Sequence, residues 1–240
     1  SILANEGTAG LDAALGPATA GVTRYLRVSS GGTTRELSLT KATYSIAPVS
    51  SRYGTKTFND GGTTVGYVNL RTFITPANDQ LRTAFDGFRS QGITQVIVDL
   101  RYNGGGLVSA ARSLASHVSA ARAADQVFVQ LRFNEQRAGR NDETLRFERP
   151  GAALNLQRVY VLMGPRTCSA AELVVNGLRP FVAVVTVGAA SCGKPVGFLP
   201  QARCDTVFNV VNFEVVNARD EGRYFEGPNT ENNFIYRNSR

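Results

Sequence analysis

Short apolar runs alternate with segments of helical periodicity along most of this chain, and this alternation limits its fold more than any other feature. The runs that predict buried strands are residues 64–70, 95–100, 159–163, 182–187 and 208–216. Apolar residues recur at helical spacing between them, at Leu81, Ala84, Phe85 and Phe88 and again over residues 107–118 and 172–178. Strands that alternate with helices favour an α/β domain with mostly parallel strand pairing.

The first part of the chain has a different pattern. Residues 23–28 and 35–39 alternate polar with apolar side chains and are joined by Ser30-Gly31-Gly32-Thr33, which predicts a β-hairpin. Residues 1–20 are small and have no clear periodicity. We therefore predict a partial β segment over residues 1–46, a linker rich in Ser, Gly and Asp over 47–63, and the main domain over 64–240.

The net charge is +7 over 240 residues, but the arginines are scattered rather than gathered in a basic run with aromatics. Such a charge favours solubility and non-specific attraction, not a nucleic-acid partner. No apolar run approaches the roughly 18 residues that span a bilayer. The N-terminus has no basic and then apolar leader, so we expect a cytoplasmic protein or a trimmed mature form.

No two of the three cysteines have C-x-x-C spacing, and the cysteines therefore predict no metal site. Cys192 and Cys204 flank a turn at residues 197–200, and this spacing predicts a small disulfide loop between them. A disulfide would indicate an oxidising compartment. The alternative is three reduced, partly buried thiols.

Ser169 and Lys194 lie twenty-five positions apart and form the most plausible nucleophile and base of the chain. The single histidine, His117, falls among helix residues, where a structural role at the helix surface or core edge is favoured over catalysis. A neutral lysine can activate a serine instead. Lysine side chains ordinarily have a pKa of about 10.4 and serve as bases near 7–8, a shift that costs about 4 kcal/mol. Such a shift needs an apolar pocket, and a solvated surface lysine stays the alternative.

Gly104-Gly105-Gly106 follows the predicted strand 95–100 and precedes a predicted helix. Glycines let backbone N–H groups approach a ligand closely, and a helix N-terminus offers unpaired donors. Two donors aimed at one point would form an oxyanion hole. From the residues alone, a structural turn is the alternative, because the segment fits neither a phosphate loop nor a dinucleotide-binding motif.

Three ordered motifs resemble the C-terminal processing peptidases, also called tail-specific proteases. Residues 99–106, DLRYNGGG, resemble that family's D-L-R-x-N-x-G-G signature. Residues 167–172, TCSAAE, resemble its T-A-S-A-S-E box, and Gly193-Lys194 resembles its F-G-K-G element. The resemblance covers about residues 66–216.

The resemblance implies a serine endopeptidase that cleaves protein or peptide substrates through an acyl-enzyme, without cofactor or metal. Ser169 would be the nucleophile and Lys194 the base, with the N–H groups of Ala170 and of Gly105 or Gly106 as oxyanion hole. It also implies an α/β fold with a crotonase/ClpP-like repeated ββα core, and residues 1–46 as the closing part of a PDZ domain. A periplasmic or other extracytoplasmic location would follow.

The chain departs from the family pattern near the proposed dyad. Phe198 stands where many members have a glutamine, Cys168 replaces an alanine, Ala171 replaces a serine and Gly104 replaces a proline. Two other functions fit the same fold. One is a non-catalytic module that binds ligands or peptides, and the other is a crotonase-type acyl-transfer enzyme.

Overall fold

A computed structural model of the chain describes residues 2–134 and 142–228. The chain divides into two compact units, residues 1–46 and 47–240. The last residues of the predicted main domain, 229–240, lie outside the described part. No helix in the described part is both long enough and apolar enough to cross a membrane.

The described residues of the first unit, 2–46, contain one helix and one hairpin. The helix α1 spans Ile2–Leu15, a segment for which the sequence predicts no element, and its backbone leaves helical geometry at Gly7. Strands β1 (Thr23–Ser30) and β2 (Thr33–Thr40) pair antiparallel, which confirms the predicted hairpin. Both glycines of the turn, Gly31 and Gly32, adopt positive φ, as tight hairpin turns require.

The second unit contains three helices and eleven strands within its described residues. In chain order they are β3 (Thr55–Asp60), β4 (Thr63–Asn69), α2 (Ala77–Ser90), β5 (Gln95–Asp99), α3 (Val108–Ser119), a short 3-10 helix (Ala120–Arg122), β6 (Val127–Phe133), β7 (Glu143–Arg146), β8 (Arg158–Met163), α4 (Ala170–Leu178), β9 (Ala183–Gly188), β10 (Val196–Gly197), β11 (Gln201–Arg203), β12 (Thr206–Phe208) and β13 (Phe213–Val216).

The main sheet has five strands in the order β3-β4-β5-β8-β9. Strands β4, β5, β8 and β9 are parallel to one another, as the alternating pattern predicts. The edge strand β3 is antiparallel to β4, so the prediction that residues 47–63 are a linker is wrong. Gly61 and Gly62 form the hairpin turn between these strands, with φ of 54° and 87°. A glycine pair of this kind suits a tight turn as well as a linker.

A second sheet of four strands, in the order β10-β13-β6-β7, is antiparallel throughout. The sequence predicts no element over β6 and β7. It also predicts one strand over residues 208–216, where the structure has β12, an irregular stretch and β13. The second sheet connects to the first through α4, which contacts β6, β13 and β9.

The core of the second unit lies between the main sheet and its helices. All four predicted positions on α2, namely Leu81, Ala84, Phe85 and Phe88, are buried. The predicted core face of α3 is buried from Ala111 to Val118, but Leu107 precedes the helix and is 45% exposed. The predicted helix therefore begins one residue too early.

His117 lies inside this core rather than at its edge, with 3% of its surface exposed. Its Nδ1 bonds to the carbonyl of Ser113 at 2.8 Å, and its ring packs 5.1 Å from that of Phe85. Burial lowers the pKa of the imidazole, which keeps it neutral. The predicted structural role of His117 agrees with this environment.

Helix α4 lies unusually close to β6 at Gly177. A Cβ atom at this position would lie 2.4 Å and 2.5 Å from two ring carbons of Phe128. Phe128 is fully buried and packs edge-on against Phe147, so its ring has little room to move. The close approach of helix and strand therefore depends on the absence of a side chain at Gly177.

We expect Gly177→Ala to destabilise the protein by about 1–3 kcal/mol, because the added methyl overpacks the core. The matched control is Gly87→Ala in α2, where nothing lies within 4 Å of the added Cβ. That change should be stabilising by up to about 1 kcal/mol, because alanine favours helix. Urea unfolding measures both, and equal effects of the two variants would contradict the packing argument.

Candidate functional site

The proposed site residues lie at the carboxyl ends of β5, β8 and β9, which are neighbours in the main sheet. The turn at residues 100–107 follows β5, the turn at 164–169 follows β8, and the loop at 189–195 follows β9. Ligands of open α/β sheets usually bind at this edge. The parallel topology thus brings together segments that are far apart in the sequence.

The buried carboxylate of Asp99 anchors the first turn at the end of β5. It accepts hydrogen bonds from the Tyr67 hydroxyl at 2.7 Å, from the Arg101 guanidinium at 2.9 Å and 2.7 Å, and from the Arg101 N–H at 3.1 Å. Burial alone would raise the pKa of Asp99, but the bonds from Arg101 and Tyr67 outweigh it and hold the pKa below its ordinary value. The carboxylate therefore stays ionised and fixes where the turn begins.

Asn103 connects this turn to two neighbouring segments and is fully buried. Its amide donates to the carbonyl of Leu70 at 3.0 Å, and its Oδ1 accepts the N–H of Gly105 at 2.8 Å. Its backbone carbonyl accepts the N–H of Cys168 at 3.1 Å. The glycine turn and the turn before Ser169 are thus hydrogen-bonded through one residue.

Two glycines of this turn adopt backbone conformations that other residues rarely take. The φ angles are 102° at Gly105 and 137° at Gly106. A Cβ at Gly105 would lie 2.8 Å from the carbonyl oxygen of Cys168 and 2.9 Å from the Cβ of Ser169. The glycine turn therefore packs directly against Ser169. Within the described residues, the N–H of Gly106 has no hydrogen-bond acceptor.

Ser169 occupies a strained position between β8 and α4. Its φ and ψ are 56° and −119°, a conformation that costs a non-glycine residue about 1–3 kcal/mol. Thr167 holds the turn, because its hydroxyl donates to Leu100 and accepts from the N–H of Gly164. Serine on a sharp strand-to-helix turn is typical of nucleophiles. The next N–H, of Ala170, has no acceptor among the described residues.

The carboxylate of Glu172 accepts hydrogen bonds from both the Ser169 turn and the Lys194 loop. Its Oε2 accepts the N–H groups of Ser169 and Lys194 at 2.8 Å and 2.9 Å. Its Oε1 accepts the Ser191 hydroxyl at 2.5 Å and the Gly193 N–H at 2.8 Å. Glu172 has no exposed surface. One buried side chain thus holds the backbones of the two predicted catalytic residues beside the same oxygen.

The ammonium group of Lys194 lies over the ring of Phe198, with Nζ 5.1 Å from the ring centroid. Cations are attracted to the faces of aromatic rings. Within the described part of the chain, Nζ makes no ion pair and no hydrogen bond. In particular, it makes no hydrogen bond to Ser169 Oγ. The structure therefore joins the backbones of Ser169 and Lys194 but leaves their side chains apart.

Cys168 and Cys192 form a disulfide, and Cys204 is free and exposed. The predicted pairing of Cys192 with Cys204 is therefore wrong. Cys204 and Asp205 form the two-residue turn between β11 and β12, with φ of 46° and 58°. The N–H of Cys192 instead donates to the carbonyl of Thr167 at 2.9 Å, which places Cys192 beside Cys168.

The two disulfide sulfurs and the Glu172 carboxylate also lie within 4.8 Å of one another, a grouping that could hold a metal ion. The sulfurs are bonded to each other, however, and the carboxylate oxygens already accept four polar donors. Metal ligation by cysteine requires a thiolate. The grouping is therefore better described as a disulfide beside a carboxylate whose oxygens already accept hydrogen bonds.

The segment 223–227 covers the loop before Lys194. A Cβ at Gly193 would lie 2.0 Å from the carbonyl oxygen of Phe225, so these two backbones are in close contact. The hydroxyl of Tyr224 is buried without a partner among the described residues. Burial first and the nearby Glu172 second raise the pKa of this phenol, which stays neutral.

Sequence reasoning assigned no role to Glu172, Asn103 or Tyr67. For Glu172 a signal was present, because Ser169-x-x-Glu172 has the spacing of a helix capping box. Asn103 lies within the DLRYNGGG motif and bonds locally to Gly105, but its bond to Leu70 and the bond of Tyr67 to Asp99 each span more than thirty positions. Their contribution depends on strand neighbours that the sequence does not specify.

Comparisons with known proteins agree on one family. A family model described as Peptidase family S41 matches residues 64–215. A carboxyl-terminal-processing protease of Synechocystis sp. is 29% identical over 171 residues, and one of Picosynechococcus sp. is 27% identical over 162. These matches cover 70% and 68% of this chain but 37% and 36% of those proteins, so the chain spans about a third of their length.

Solved structures agree with this result. A structure from Bacteroides fragilis described as an S41 protease has a TM-score of 0.71 and 28% identity, over 88% of this chain and 59% of that one. The photosystem II D1 C-terminal processing protease has a TM-score of 0.63 at 20% identity, over 88% and 55%. At 20% identity, the similarity to the photosystem II D1 protease is one of fold alone. The mixed α/β fold of this chain is thus similar to that of S41 proteases.

We expect Gly105→Ala to destabilise the protein by at least about 2 kcal/mol. A φ of 102° is strained for alanine, and the added methyl would clash with the backbone carbonyl of Cys168. Gly104→Ala is the matched control, since nothing lies within 4 Å of its added Cβ. The control should change stability by no more than about 0.5 kcal/mol. Urea unfolding at pH 7 measures both, and similar small losses would contradict the close approach.

Proposed function

Because this chain belongs to peptidase family S41, we propose that it is a serine endopeptidase that uses Ser169 as nucleophile and Lys194 as general base. The observation that carries the proposal is the shared hydrogen bonding of the Ser169 and Lys194 backbones to Glu172. A nucleophile and its base must be held in a fixed mutual position. The strained turn at Ser169 supports the same assignment.

The proposed reaction forms and then hydrolyses an acyl-enzyme. Neutral Lys194 takes the proton of Ser169 Oγ as this oxygen attacks the carbonyl carbon of the scissile peptide bond. Lys194 then gives that proton to the amine that leaves. A water molecule attacks the ester, again with Lys194 as base, and releases the new carboxyl terminus and free Ser169. The reaction requires no cofactor.

The oxyanion hole is assigned to the N–H groups of Ala170 and Gly106. Both lack acceptors in the described part of the chain, and Ala170 begins α4, where the helix end favours negative charge. The Gly105 N–H is the less suitable of the two glycine donors, because it already donates to Asn103. The role of Gly105 is then to allow the close packing of the turn against Ser169.

Substrates are proposed to be proteins or peptides of an extracytoplasmic compartment. The Cys168–Cys192 disulfide supports this location, because disulfides persist in oxidising surroundings. The chloroplastic and cyanobacterial relatives are named as carboxyl-terminal-processing enzymes. Preference for C-terminal segments is the corresponding proposal for this chain.

The finer architecture is proposed as a crotonase/ClpP-like repeated core in residues 64–240, and as a partial PDZ-like segment in residues 1–46. The parallel strands β4, β5, β8 and β9 with intervening helices support the first. The hairpin β1–β2 supports the second. PDZ domains bind a peptide C-terminus by adding it as a strand.

A non-catalytic module that binds peptides is the second candidate function. One observation favours it, because the Lys194 ammonium lies over Phe198 and makes no hydrogen bond to Ser169 Oγ. Hydrogen bonds of catalytic pairs are, however, often loose without substrate and tighten in the complex. The two candidates differ in whether Ser169 is chemically reactive.

Labelling of Ser169 by a fluorophosphonate probe tests the dyad. We expect labelling of the wild type and no labelling of Ser169→Ala. In Lys194→Ala the labelling rate should fall by a factor of at least about 100, because the base is lost. Lys56→Ala, on the exposed strand β3, is the matched control and should label at the wild-type rate. Wild-type labelling of Lys194→Ala would overturn the base assignment. An unreactive wild type that binds peptides without cutting them would favour the second candidate.

Phe198→Leu tests what the aromatic ring does to Lys194. The ring attracts the Lys194 ammonium by about 0.5–1 kcal/mol and so favours a side-chain position without a hydrogen bond to Ser169 Oγ. We therefore expect Phe198→Leu to label about two- to fivefold faster near pH 7, and Phe198→Tyr, which keeps the ring, to label at the wild-type rate. A slower Phe198→Leu would mean that the ring positions Lys194 productively.

A further inference from the structure

We propose that the Cys168–Cys192 disulfide is a positioning cross-link of the candidate active site, and that its reduction by a dithiol lowers the reactivity of Ser169. The sulfur atoms join the residue before Ser169 to a residue two positions before Lys194. The inference rests on the proposed function for its activity readout. Its structural readout is independent of that function.

The disulfide connects the two segments beside a backbone hydrogen bond that also joins them. The Cα atoms of Cys168 and Cys192 are 5.2 Å apart, and 24 positions separate them in sequence. The N–H of Cys168 donates to Asn103, and the N–H of Cys192 donates to Thr167. The covalent bond therefore lies inside the same network that orients the glycine turn and Ser169.

The loop at residues 189–195 contains no helix or strand and depends on non-covalent contacts at almost every position. It is held by hydrogen bonds to Glu172, Thr167, Met163 and Val215 and by contact with the segment at Phe225. Among the described residues, the disulfide is its one covalent tie to another segment. Loss of this tie leaves the position of Lys194 to non-covalent contacts alone.

The conformation of Ser169 adds a reason for dependence on the disulfide. Residues with strained φ and ψ angles persist only where their surroundings hold them, and the φ of Ser169 is 56°. Cys168 is its immediate neighbour, so the disulfide constrains one side of the strained peptide directly. After reduction, this turn can relax toward an ordinary backbone conformation and move Oγ away from the oxyanion donors.

The bond can be reached by a reductant, because Cys192 is an exposed residue whereas Cys168 is partly buried. One thiolate of a small dithiol attacks the sulfur of Cys192 and displaces the Cys168 thiolate, which takes up a proton. The second thiolate of the dithiol then displaces the Cys192 thiolate. The dithiol is oxidised to a cyclic disulfide, and the protein gains two electrons and two protons.

The first experiment counts reactive thiols with a maleimide in the native full-length chain. We expect one thiol, Cys204, before treatment with dithiothreitol and three afterwards. The fluorophosphonate labelling rate of Ser169 is then measured in both states. We expect a loss of at least tenfold on reduction and recovery after reoxidation, with KM for a peptide substrate changed less than kcat.

Variants separate the disulfide from other effects of the dithiol. The double variant Cys168→Ala/Cys192→Ala should label slowly with or without dithiothreitol. Cys204→Ser, outside the site, should behave like the wild type in both states. Equal labelling rates of oxidised and reduced wild type, or fast labelling of the double variant, would overturn the proposal.

Amide hydrogen exchange gives the readout that does not need activity. Reduction should speed exchange of the Ser169 and Lys194 amides, both of which donate to Glu172, while the central strand β5 stays protected. Unchanged exchange at these two amides would contradict a positioning role. Loss of protection in β5 as well would mean that the disulfide holds the whole fold instead. If oxidised wild type does not label at all, the proposed function fails while this measurement still decides the positioning role.

Discussion

The buried carboxylate of Glu172 is the interaction on which the candidate site depends. It accepts hydrogen bonds from the turn that carries Ser169 and from the loop that carries Lys194. A buried carboxylate is costly unless its oxygens are paired, and here four donors satisfy them. The same bonds therefore both stabilise Glu172 and hold two distant segments together. Removal of this side chain would leave buried N–H groups of both segments without acceptors.

A second constraint acts on Ser169 through the glycine turn. The carboxylate of Asp99 fixes the start of the glycine turn, and Asn103 ties that turn to Cys168. Gly105 then packs against Ser169 at a distance that no side chain would permit. Ser169 is thus held between Glu172 and the glycine turn, which explains how its strained backbone persists. Strain of this kind is common at functional sites.

Part of this arrangement could be predicted from local pattern. The four parallel strands of the main sheet and their helices can be predicted from apolar periodicity, because burial on one or two faces produces a regular pattern in the sequence. The strand β3 and the pairing of Cys168 could not be predicted in this way. A glycine pair suits a linker and a hairpin equally, and the short spacing of Cys192 and Cys204 suggests a bond, whereas Cys192 is joined to Cys168.

The sequence by itself determined the parallel strands and helices of the main sheet, the order of the three motifs and the choice of Ser169 and Lys194 as candidates, because these depend on neighbouring residues only. The tertiary structure alone decided which segments meet. It placed the ends of β5, β8 and β9 side by side, joined Cys168 to Cys192, and set the ammonium of Lys194 over Phe198. Such contacts join residues that are distant along the chain, so they arise only after strand order and packing are established.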